Sequence, residues 1–257
     1  MRLLLCVVCL LVSSLIQAQP VTAKSWLIAN SDGKIIAGEN TGAMRPVASI
    51  SKLLAVMIVL DARQDLNEKL AFNSVHRQKQ KKNKNFVDKE KKFTRQQLID
   101  MAIVHSDNHA TNVLCSNYPG GSTDCISAMN FKAARLGMMH TSMSDPTGLD
   151  NRNISTAEDL IKLVHAARHY PEIVNASRQS KVEIQMKKKW LVFPNTNPMI
   201  GKDRRIVISK TGYTTPAGGC IVLGLDTELG ERTVVVLGSK NTRTRIPEAE
   251  FISNIKE

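Results

Sequence analysis

The sequence predicts an α+β protein, with a sheet assembled from strands at both ends of the chain around a central block of helices. Three observations carry this expectation. Apolar runs separated by turn residues lie near 22–45 and again across 178–257. Helical spacing with cap residues fills about 62–177, and no repeat or low-complexity linker interrupts the 257 residues. That length suffices for a full core, and a single domain over 19–257 is expected.

The elements follow in order. Arg2, the short apolar stretch from Leu3 to Ile16 and the small Ala18 before Gln19-Pro20 read as a secretory signal peptide over 1–18. An uncleaved anchor is the alternative, and no lipobox precedes Cys6 or Cys9. Ser25–Ala29 and Ile35–Ala37 flank Asn30-Ser31-Asp32-Gly33, a hairpin pattern. The run from Ile50 to Leu60 is apolar nearly all round, which predicts a buried central helix with Ser49 at its start.

Thr94 and Gln97 form a capping box, and Pro119-Gly120-Gly121 separates two further helices, the second ending at Gly137. Asp145-Pro146-Thr147-Gly148 is a turn. Ser155 with Glu158 is expected to cap a helix running to about Arg168. Val182, Ile184 and Met186 alternate as a strand, and Arg205–Ile208 leads into Lys210-Thr211-Gly212. Cys220–Leu225 and Thr233–Leu237 flank a turn at Gly230 as antiparallel neighbours, and Pro247 begins a last helix.

Formal charge is +12, and removal of a leader carrying Arg2 and no acid leaves +11. The excess concentrates in Arg77 to Lys92 and in Lys187-Lys188-Lys189. Such runs are solvated loops, or else attract an anionic polymer. Nucleic acid is not expected as a partner, since aromatic residues that would stack on bases are scarce. Export favours a Cys115–Cys125 bridge, with small buried apolar thiols as the alternative, and Cys220 reads as core.

Chemistry concentrates in three short motifs. Ser49 and Lys52 in Ser-x-x-Lys lie three apart on one helix face, so the amine can reach the hydroxyl. A serine needs such a base, and the amine serves only when neutral, a form favoured by burial and by a second cation, Lys210. In Ser106-Asp107-Asn108, Ser106 is placed to relay a proton to a leaving amine and Asn108 to hold a substrate amide. In Lys210-Thr211-Gly212 the lysine and hydroxyl suit a terminal carboxylate, and Gly212 permits close approach of a substrate backbone. The backbone N–H groups of Ser49 and Tyr213 would form an oxyanion hole. His105 and His109 have helical spacing, but Ser106 stands where a zincin carries glutamate, so no metal and no cofactor is expected.

Arg45–Lys52, Ser106–Asn108, Tyr118–Gly121, Asp145–Leu149, Ser155–Ala157, Asn195–Asn197, Lys210–Thr214 and Gly218–Cys220 occur in one order. Together they resemble the low-molecular-mass penicillin-binding serine D-alanyl-D-alanine peptidases over about residues 22–250. The resemblance implies a β-lactamase/DD-peptidase-like fold, an antiparallel five-stranded sheet flanked by helices plus an all-helical lobe. It also implies an acyl-serine mechanism on peptidoglycan stem peptides, with β-lactam antibiotics as covalent inhibitors and a periplasmic location. The chain stops soon after its last strand, without the C-terminal β-domain and amphipathic anchor often found among the carboxypeptidases. In this it is similar to the D-alanyl-D-alanine endopeptidases of the penicillin-binding-protein-7 type, and no stable membrane anchor is expected after signal cleavage. Two rivals stand beside this reading. A class A-like β-lactamase would need a deacylating glutamate, for which Glu158 and Glu172 are the candidates. A non-catalytic cell-wall-binding protein would use the basic segment.

Overall fold

The structure, a computed structural model, describes residues 21–72, 92–186 and 189–256. The expected leader over 1–18, most of the basic segment 77–92 and residues 187–188 lie outside the described residues.

Strand β1 (Ser25–Asn30) turns through Gly33 into β2 (Ile35–Glu39), as the hairpin pattern predicts. After the two-residue β3 (Arg45–Pro46) comes a 3-10 turn over Ala48–Ile50, which runs directly into α1 (Ser51–Asp61). Ser51 to Val59 of α1 are all buried, so the helix has no polar face to show. Short strands β4 (Lys69–Ala71) and β5 (Lys92–Thr94) pair ahead of α2 (Arg95–Val104). Thr94 caps α2 in a reciprocal box with Gln97, with bonds of 3.1 and 3.0 Å.

Helices α3 (Asn108–Ser116) and α4 (Gly121–Arg135) follow, tied together by a Cys115–Cys125 disulfide, while Cys220 is a buried thiol. Strand β6 (Ile154–Ser155) pairs with β3 and leads into α5 (Ala157–Ala167). The expected Ser155–Glu158 cap is off by one position. Ser155 is extended within β6, so Thr156 takes the cap and accepts from the Asp159 N–H at 3.1 Å. Then come α6 (Pro171–Arg178), β7 (Lys181–Met186), β8 (Lys189–Pro194), β9 (Ile206–Thr214), β10 (Gly218–Thr227) and β11 (Gly230–Ser239). The last helix, α7 (Arg245–Ser253), begins two residues before Pro247.

The fold class expected from sequence is borne out. Five antiparallel strands run in the order β2-β1-β11-β10-β9, so the N-terminal hairpin pairs with the last strand of the chain. One correction concerns the strand predicted at 182–186. It pairs with β8 in a separate two-stranded ribbon rather than joining the sheet. The sheet therefore draws on Ser25–Glu39 and Ile206–Ser239.

Both faces of the sheet are covered. Leu27, Ala29, Val222, Val235 and Leu237 point into the core shared with α1–α6. Their strand neighbours Ile28, Ile221, Leu223, Val234 and Val236 pack on the other side with Ala249 and Ile252 of α7. Side chains alternate across a strand, so burial on both faces produces continuous apolar runs such as Val234–Leu237. Strand β9 forms an edge of the sheet and carries Lys210-Thr211-Gly212 against the start of α1.

Candidate active site

Ser49 is half-buried at the mouth of α1, where the 3-10 turn gives way to the helix. The residue before it, Ala48, is held at φ +47°, a left-handed conformation that L-residues adopt only under constraint from their surroundings. Lys52 is one turn on. Its Nζ donates to Ser49 Oγ at 2.7 Å and to the Thr147 carbonyl at 2.6 Å. The side chain is fully buried in a helix with no exit to solvent. Burial brings its amine down from the ordinary lysine range to about 7, against the opposing pull of the Asp107 and Asp145 carboxylates. A neutral amine at hydrogen-bond distance can accept a serine proton.

The second motif sits in the turn between α2 and α3. Ser106 is another non-glycine residue at positive φ, +60°. Asp107 caps α3 through a 2.7 Å bond from the Ala110 N–H, which turns its carboxylate into structure. Asn108 opens α3, and its buried Oδ1 has no hydrogen-bond partner among the described residues. A buried amide oxygen of this kind is available for a donor brought in by a ligand. The flanking histidines are separately engaged: His105 Nδ1 is 2.9 Å from the Pro194 carbonyl, and His109 stands edge-on to Phe72.

Lys210 arrives from β9, fully buried, with Nζ donating to the Thr211 carbonyl at 2.9 Å. Burial, then the charges of Lys52 and Arg245, push its amine well below the ordinary range. Thr211 Oγ1 bonds Thr196 Oγ1 at 2.7 Å, and the Thr196 N–H reaches the Val104 carbonyl at the end of α2. The third motif is thereby linked to the second. It is linked to the first through Gly212, where a Cβ would lie 2.8 Å from Ser49 N and 3.0 Å from Ala48 Cβ. The protein's own chain already requires glycine at this position. Tyr213 follows, partly exposed on the edge strand, and Arg245 from α7 donates to the Gly212 carbonyl. The eight residues singled out in the sequence thus belong to three segments that meet around the start of α1.

Two participants escaped the sequence reading. The Thr147 carbonyl holds Lys52 from 95 residues away, and a main-chain oxygen carries no residue-type signature. Gly148, at φ +84°, backs the Ala48–Ser49 peptide so closely that a Cβ would sit 1.9 Å from Ala48 O. The turn Asp145-Pro146-Thr147-Gly148 was legible as a turn, but its contact with Ser49 was not. The glutamates that a β-lactamase reading would need are placed otherwise. Glu158 accepts from Thr41 Oγ1 at 2.6 Å, and Glu172 lies in the partly exposed first turn of α6.

Residues 13–241 match the family described as D-alanyl-D-alanine carboxypeptidase. The chain is 36% identical over 210 residues to the D-alanyl-D-alanine endopeptidase of Escherichia coli (strain K12), covering 80% of this chain and 68% of that one. It is 33% identical over 235 residues to the D-alanyl-D-alanine endopeptidase of Pseudomonas aeruginosa, covering 90% and 76%. In fold it is similar to penicillin-binding protein D2 from Listeria monocytogenes in its ampicillin-bound form. There the TM-score is 0.80 at 23% identity, over 91% of this chain and 96% of that one.

Proposed function

The chain belongs to the D-alanyl-D-alanine carboxypeptidase family, and from that membership we propose an exported serine DD-peptidase that opens D-alanyl bonds in peptidoglycan cross-links. The observation that carries this reading is the buried Lys52 amine, near neutrality and 2.7 Å from the Ser49 hydroxyl. In the proposed reaction Ser49 Oγ attacks the carbonyl of the penultimate D-alanine while its proton passes to Lys52. The N–H groups of Ser49 and Tyr213 receive the developing oxyanion. As the C–N bond breaks, Ser106 passes a proton to the leaving amine, and water then hydrolyses the ester to free Ser49. Asn108 holds the substrate amide, and Lys210 and Thr211 the acidic end of the leaving peptide. No cofactor takes part.

Preference for endopeptidase over carboxypeptidase action rests on the two relatives of 36% and 33% identity, both named endopeptidases. Export to the periplasm rests on the leader-like sequence at 1–18 and on the wall substrate. β-Lactams act in this scheme as substrates that acylate Ser49 and are released slowly.

Intact mass of the mature protein after excess benzylpenicillin tests the reading. The expected result is a lasting penicilloyl adduct on Ser49, absent from Ser49→Ala, with cleavage of cross-linked muropeptides by the free enzyme. Rapid drug loss with no lasting adduct would mean a β-lactamase. Drug survival with no adduct would return attention to the basic segment as a wall-binding device.

A further inference from the structure

Lys52 is held by a carbonyl, and that carbonyl is held by a single buried carboxylate. Asp145 is almost inaccessible and spends both oxygens on the turn around Thr147. Its Oδ1 accepts from the Thr147 N–H at 2.5 Å, the Thr147 hydroxyl at 2.7 Å and the Gly148 N–H at 2.8 Å. Its Oδ2 accepts from the Asp150 N–H at 2.5 Å. The same turn presents the Thr147 carbonyl to Lys52 Nζ and sets Gly148 against the Ala48–Ser49 peptide.

Asn153 ties this turn to the other side of the site. Its Oδ1 accepts from the Ser144 and Asp145 N–H groups, its Nδ2 donates to the Asp145 carbonyl, and its own carbonyl accepts from the Val47 N–H. One carboxylate therefore organises a turn that touches both the base and the nucleophile's backbone.

We propose that Asp145 is the positioning residue of this site, fixing the Thr147 carbonyl on Lys52 and the Ser49 N–H in its place. The proposal rests on Lys52 acting as the base. Asp145 touches no reacting atom and acts through the turn. Only a carboxylate meets four donors at once. In Asp145→Asn one end becomes an NH2 that faces N–H groups instead of accepting from them. The other charged groups acting on Lys52 are Asp107 from the start of α3 and Lys210 from β9, and Arg152 nearby is paired with Asp150. The substitution leaves Asp107 and Lys210 unaltered, whereas Arg152 loses the neighbouring Asp145 charge.

The test measures benzylpenicillin acylation of Ser49 against pH in the full chain and in Asp145→Asn. Lys52 is titrated in parallel by NMR of protein carrying 13Cε-labelled lysine, a reading that needs no turnover. Removing the negative charge and loosening the carbonyl both disfavour the ammonium form. The plateau rate is therefore expected to fall about ten- to hundredfold, and the Lys52 midpoint to move to lower pH than in the wild type. A variant that keeps the wild-type midpoint overturns the proposal, whatever its melting temperature or plateau. If Asp145→Asn does not fold, Thr147→Val decides on the same two readings. It removes the hydroxyl that donates to Asp145 and accepts from the Leu149 N–H, and an unmoved midpoint and rate there also overturn the proposal. Failure of the wild type itself to acylate would reject Lys52–Ser49 catalysis, and the NMR titration would still judge the link between Asp145 and Lys52.

Discussion

The amine of Lys52 accepts a proton from Ser49 only in the fraction of molecules where it is neutral. With burial bringing it to about 7, that fraction grows as pH rises through neutrality. Acylation by benzylpenicillin should therefore climb with pH to a plateau, with a midpoint near 7 in a stopped-flow profile. A climb continuing to about pH 10 would mean an ordinary lysine. Lys52→Arg, which cannot lose its proton, should acylate about a hundred- to ten-thousandfold more slowly. The same shift has a stability signature. An unfolded Lys52 binds its proton below about 10.5 while the folded one stays neutral down to about 7. Between those values the unfolded chain holds more protons, so this group's contribution to stability grows as pH rises across the window and is lost as pH falls. Denaturant melts of wild type and Lys52→Met from pH 7 to 10 should diverge with that sign.

At the scale of elements, much rests on turns whose geometry one residue enforces. Gly148 and Gly201 share a positive φ, +84° and +85°, but only Gly148 has a neighbour within 4 Å of the missing Cβ. Gly148→Ala must push the Ala48–Ser49 peptide aside, and acylation should drop about a hundredfold, as expected for an ångström-scale misplacement. Gly201→Ala carries the backbone strain alone and should acylate normally, which makes it the control. The cap of α5 is a matter of stability. Thr156→Ala removes the bond to the Asp159 N–H, and chemical denaturation should show a loss of about 1 kcal/mol. Ser155 and Thr156 are both good caps by composition. The choice between them was made by β6, which draws Ser155 into pairing with Arg45.

At the scale of the whole molecule, the disulfide joins α3, which carries Asn108 at its start, to α4. It closes a loop with a separation of ten residues, for which loop-closure entropy suggests about 2–3 kcal/mol. Reduction, or replacement of Cys115 and Cys125 by Ala together, should lower unfolding stability by that amount. Cys220 should stay unlabelled until unfolding, because burial pushes its thiol up to about 11.

Features carried by neighbours in sequence were determined by the sequence alone. These include the Ser49–Lys52 spacing on one helix face, the Thr94–Gln97 box, the hairpin across Gly33, the all-apolar α1 and the α+β class. Each depends on a period or a turn that a few adjacent residues enforce. Tertiary structure alone decided the pairing of β1 with β11, the separate β7–β8 ribbon, the Thr147 carbonyl on Lys52 and the carboxylate of Asp145 behind it. Those relations join residues far apart in the chain. They pass through main-chain atoms and through the pairing of distant strands, and neither leaves a mark in residue type.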